Sequence, residues 1–196
     1  MITRTPAQVD NDLARAHEHL DHARRVLTSL TASAQHAFGV RASGTYGSRT
    51  RWTTTTEEAW DRVEAAAANG DAYNTSLPTG SHHPSQLLAA REAAVDAHSE
   101  IRERIWALSV EYTGWSRFFV VTSSAGHIHS STGCHTCRDT TTYGWLPNLS
   151  GQSEALAVET HGAALCTVCF PSAPVAWVGG RITKAQALKR SLAARE

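Results

Sequence analysis

Apolar residues in the first 38 positions recur in steps of four and three: Val9, Leu13, Ala16, Leu20, Ala23, Leu27, Leu30, Ala34 and Ala37. That spacing places them on one stripe of a helix and predicts a single long helix over residues 1–38. Thr5 and Pro6 supply an N-cap and a first-turn proline, Gln8 completes a capping box, and Gly39 supplies a stop. A second stripe, formed by Leu87, Ala94, Ile101, Ile105, Leu108 and Tyr112, predicts another long helix from about Ser85 to Tyr112. Two matched seams imply an antiparallel helical pair, although the same stripes can also mate between two copies of the chain as a homodimer. Between them, Thr55 and Glu58 open a short helix carrying Trp60, Val63 and Ala67 and ending at Asn69 and Gly70. It is flanked by two loops rich in Gly, Ser and Thr, "GVRASGTYGSRTRWTTTT" and "NTSLPTGSHHPS".

The pattern changes period at "TGWSRFFVVT". Phe118 to Val121 are β-formers, Ser-Ser-Ala-Gly is a turn, and "HIHSS" returns as a strand, so a β-hairpin is expected. A short helix follows from Ser153 to His161, with Gly162 as its stop. The prolines of "FPSAPVAWVGG" exclude a helix, and "TKAQALKRSLAARE" reads as a final basic helix opened by Thr183. The expected fold is therefore α+β and mostly helical. A helical domain spans 1–114, a small zinc-bound β-hairpin-and-helix module spans 115–180, and a basic helix or tail spans 181–196.

Composition narrows the function classes. With 196 residues and 41% hydrophobic content, the chain can bury one good core or two small ones. No apolar run is long enough to cross a bilayer and the first residues lack the apolar core of a signal peptide, so a cytoplasmic protein without a membrane partner is expected. Eighteen basic residues balance eighteen acidic ones, so any case for a nucleic-acid partner is local. Two local cases exist. Arg41, Tyr46, Arg49, Arg51 and Trp52 interleave cations with aromatic rings, and Lys184, Lys189 and Arg190 add a second basic surface; both patterns suit DNA or RNA contacts. A loop with three arginines is more often a solvated connection. His17, His19 and His22 on the first helix read as a solvent face, since no third ligand accompanies His19 and His22.

All four cysteines fall into two C-x-x-C pairs, Cys134 with Cys137 and Cys166 with Cys169. Each such turn aims two thiolates at one point, and four thiolates suit a structural, tetrahedral zinc ion. Disulfides are disfavoured in a reducing compartment, and neither pair opens a helix after a strand as a redox dithiol does. An iron-sulfur cluster would also use four cysteines, but two neat knuckles fit zinc better. His127 and His129 lie two apart on a strand and share a face, with His135 and His161 nearby. Four cysteines already close a tetrahedron, so the histidines are expected to pack around the site, with His129 the first substitute ligand.

"HIHSSTGCHTC", the helix "SEALAVETHG" and "ALCTVCFP" together resemble the zinc domain of the Ada DNA-repair family, at His129, Cys134, Ala155, Gly162, Cys166, Cys169 and Pro171. The likeness covers roughly residues 117–175 and implies a small zinc-folded module. The Ada pattern spaces its first two cysteines more widely, so the methyl-accepting role of its first cysteine is not carried over to Cys134. The stretch from Phe118 to Pro174 also resembles uncharacterised proteins of actinobacteria and their phages, which would place a phage-encoded chain in the host cytoplasm.

Three function classes follow. The first is a zinc-stabilised, non-enzymatic binding or regulatory protein that engages a protein partner, with Tyr143, Trp145 and Leu146 as a candidate contact patch. The second is nucleic-acid binding through the basic segments. The third, least favoured, is a zinc-braced nuclease of the HNH kind using His127 and His129, which have no acidic neighbour in sequence. A zinc deaminase is excluded, because Leu165 rather than proline precedes Cys166.

Overall fold

The computed structural model describes residues 4–40, 52–70, 83–123 and 126–174. Its element order is α1 (Pro6–Phe38), α2 (Thr56–Ala68), α3 (Pro84–Val110), β1 (Phe119–Val121), β2 (Ile128–His129), β3 (Tyr143–Trp145) and α4 (Glu154–His161), with short 3-10 turns at Pro147–Leu149 and Gly162–Ala164. The architecture is the expected α+β, mostly helical one. Among the described residues, no helix is long and apolar enough to cross a membrane.

Helix boundaries follow from local chemistry. At α1 the Thr5 amide donates to Gln8 Oε1 at 2.8 Å and the Gln8 amide donates to Thr5 Oγ1 at 3.3 Å, closing the capping box. Gly39 follows the helix where only glycine fits, because any β-carbon there would meet the Gln35 carbonyl oxygen at 2.3 Å and the Trp52 ring at 2.9 Å. Thr55 and Glu58 form the second capping box, with Asn69 as the C-cap of α2. Ser153 caps α4, and Gly162 ends it at φ 47°, a backbone conformation that favours glycine.

The chain divides into two compact units, one made of residues 16–104 and the other of residues 1–15 with 105–196. In this division the first turns of α1 and the end of α3 group with the β-strands. In the first unit Leu30 and Ala34 of α1, Trp60 and Val63 of α2, and Leu87 and Ala94 of α3 share one core. Arg91 lies 4.5 Å from the Trp60 ring centre, which explains a cation inside the apolar stripe of α3. The α1 seam from Val9 to Ala34 is buried within the chain except at Leu27, which is half-buried. The stripe thus serves as an intramolecular packing face.

In the second unit β1 is the central strand of a three-stranded antiparallel sheet, ordered β2-β1-β3. The β1–β2 hairpin is the expected one. Strand β3 has no counterpart among the expected elements, and it pairs Trp145 with Phe119 and Tyr143 with Val121. Alternation along the strands separates two faces. Phe118, Val120 and Ile128 enter a core with Leu146, Leu149, Ala157, Leu165 and Phe170, where Phe118 stacks on Phe170 at 5.5 Å between ring centres. Phe119, His129, Tyr143 and Trp145 belong to the other face. Of the expected C-terminal features, the basic helix and most of "FPSAPVAWVGG" lie outside the described residues.

Candidate metal centre

Strand β2 delivers His129, and the backbone of Ile128 brings in the second cysteine pair. Ile128 forms a parallel bridge with Leu165, and the Cys166 amide donates to the Ile128 carbonyl at 2.9 Å. The register therefore sets Cys166 beside His129 although 36 intervening residues separate them. Each knuckle is a backbone turn: the Cys137 amide donates to the Cys134 carbonyl at 3.0 Å, and the Phe170 amide donates to the Cys166 carbonyl at 2.9 Å.

His129, Cys134, Cys166 and Cys169 place one donor atom each within 4.8 Å of one another. Three soft sulfurs and an imidazole nitrogen are a donor set that can hold one metal ion. The cluster departs from the four-cysteine expectation at one position, where His129 stands instead of Cys137. The reason lies in the register: His129, 3% exposed, projects from the sheet between the two knuckles, and no spacing rule within a knuckle reports on that strand. His129 Nδ1 is 3.6 Å from the Cys169 sulfur, while Nε2 is 3.6 Å from the Cys137 sulfur.

The electrostatics suit ligation. Burial, assisted by His127, holds the His129 pKa below the ordinary imidazole value, keeping the ring neutral as a ligand must be. The Thr136 hydroxyl, 3.1 Å from Cys134 Sγ, lowers the pKa of that thiol against the opposing effect of burial. Burial raises that of Cys169, against hydrogen bonds from Ser130. Contact with the Cys137 sulfur, followed by burial, pushes the Tyr143 phenol up to about 12, so it stays protonated. The Tyr143 ring also meets His129 edge-on, 6.1 Å between centres.

A groove of about 600 Å³ opens beside the cluster, lined in part by His127, His129, Thr136, Cys137, Arg138 and Cys166. Among the described residues no carboxylate lines it. The proposed contact patch does not form an exposed loop: Leu146 is 5% exposed in the core, and Tyr143 and Trp145 are half-buried in β3, where Trp145 packs edge-on against Phe119. Such aromatic rings fill a small core. Of the candidate nucleic-acid contacts, Trp52 is half-buried, with its ring edge-on to His36. Arg41, Arg49, Arg51, Lys184, Lys189 and Arg190 lie outside the described residues. His19 and His22 are exposed on α1, as expected of a solvent face.

One buried group had no expected role. Asp10, 0% exposed, accepts hydrogen bonds from Trp115 Nε1 and Arg117 Nε, each at 2.9 Å. Arg117 also lies 3.7 Å from the centre of the Tyr112 ring. This knot fixes the segment that enters β1. Its only sequence signal is a charge directly beside Val9 on the buried side of α1. No family model, curated protein or solved structure matches the chain.

Proposed function

We propose that the protein is a zinc-stabilised, non-enzymatic binding protein in which the metal holds the fold of the β-strand module. The observation that carries this reading is the four-donor cluster of His129, Cys134, Cys166 and Cys169. Zinc is the ion that such sulfur-rich, mixed S/N sets accept in tetrahedral structural sites. Four protein donors leave no open position for a water nucleophile. The neighbouring core is small, and a bound zinc ion contributes on the order of 10 kcal/mol to folding in modules of this kind. Any hydrolytic use of the groove would need carboxylate donors for a second ion, whereas its lining offers His127 alongside residues of the cluster.

The partner we assign is a protein. Trp106 and Val110, one turn apart on α3, stand 72% and 65% exposed in the same unit as the metal cluster. A large indole left in water marks an interaction surface more often than an ordinary solvent face does. Metal content of the purified protein tests the base of the reading, with about one zinc per chain expected. Less than about half an equivalent would sink it. DNA cleavage in magnesium or manganese that His127→Ala abolishes would overturn the non-enzymatic assignment.

A further inference from the structure

Beside the four donors that a tetrahedral centre needs lies a fifth that the cluster leaves out. The unused one is Cys137, and its position is specific. Its sulfur sits 3.6 Å from His129 Nε2, on the opposite side of the imidazole from Nδ1, which is 3.6 Å from Cys169. A tetrahedral zinc with bonds of about 2.1 Å to nitrogen and about 2.3 Å to sulfur sets those two donors about 3.6 Å apart. Both pairs have that spacing, but only Cys169 belongs with Cys134 and Cys166 to the set whose donors lie within 4.8 Å of one another. Cys137 is half-buried and lines the groove, so it is reachable from solvent.

We infer that Cys137 is a reserve ligand: His129 holds the metal through Nδ1 with Cys134, Cys166 and Cys169, while the Cys137 thiol stays free at the groove and replaces the imidazole when it withdraws. This rests on the zinc reading above. In the exchange a nitrogen–metal bond breaks and a sulfur–metal bond forms, and the thiol proton passes to the released imidazole or to water. The coordination number stays at four, and the bound charge becomes one unit more negative. While the imidazole is bound, Cys137 is the one cysteine of the four open to soft electrophiles such as maleimides.

The test uses the zinc-loaded full chain, N-ethylmaleimide, peptide mapping by mass spectrometry and metal analysis of the same sample. Fast modification of Cys137 alone, with about one zinc retained per chain, is the expected result. His129→Ala should keep its zinc and slow the reaction at Cys137 by at least about tenfold, because the thiol is now bound. Cys137→Ser should keep zinc and lose the fast-reacting thiol, a readout that survives even if His129→Ala fails to fold. Protection of all four cysteines in the zinc-loaded wild type would overturn the inference and leave the zinc reading standing. So would zinc release in step with Cys137 modification, fast reaction at another cysteine, or unchanged Cys137 reactivity in folded His129→Ala. Four fast thiols and no zinc would overturn both.

Discussion

Replacing Asp10 with alanine removes the acceptor of two charge-assisted hydrogen bonds without touching the cysteines. Asp10 is fully buried, and the Arg117 side chain is only 18% exposed, so solvent screens the pair weakly. Each hydrogen bond to a charged group contributes about 1.5–3 kcal/mol, and the two made by Trp115 Nε1 and Arg117 Nε together indicate a loss of about 3–5 kcal/mol. Part of that loss is the cost of leaving a guanidinium poorly solvated, held over the Tyr112 ring at 3.7 Å and near the Trp115 and Trp145 rings. Urea unfolding of the protein as purified, followed by circular dichroism and tryptophan fluorescence, measures the change at constant m-value. A double-mutant cycle with Arg117→Ala isolates the pair, with a coupling of roughly 2–3 kcal/mol expected. A loss below about 1 kcal/mol for Asp10→Ala, or additivity within about 0.5 kcal/mol, would refute the claim that this buried charge pair fixes the entry to β1.

Two further outcomes check the core and the buried histidine. Phe118→Ala should destabilise the β-strand unit by about 3–5 kcal/mol by opening a cavity against Phe170, and Phe118→Leu by much less; equal effects in urea would contradict the stacked-core picture. Burial lowers the pKa of His161 from 6.5, so below that pH the unfolded chain binds a proton that the folded chain resists. Its contribution to stability is complete above about pH 6.5 and is lost as the pH falls toward the folded-state value. His161→Leu should therefore gain on wild type progressively between pH 7 and pH 5 in matched unfolding curves, and a gap independent of pH would exclude the titration.

The helices were legible because their signals are local. The four-three stripe, the boxes at Thr5 with Gln8 and Thr55 with Glu58, and the Ser153 and Gly162 caps each involve residues a few positions apart, and each operates in the folded chain. The β1–β2 hairpin was legible for the same reason. Strand β3 was not, because "YGW" is too short for its alternation to stand out and it exists only by pairing with β1 more than twenty positions earlier. The same separation hid the partners of Asp10, which lie over a hundred residues along the chain.

The sequence by itself determined that a sulfur-rich metal site was to be expected, since two C-x-x-C turns carry their own geometry and use every cysteine in the chain. Only the tertiary structure decided which donors converge. That choice depends on the β1–β2 register and on the bridge from Ile128 to Leu165, which seat His129 among Cys134, Cys166 and Cys169 and leave Cys137 on the far side of the ring. Spacing fixes what a turn can point at, but pairing between distant strands fixes what stands there to meet it.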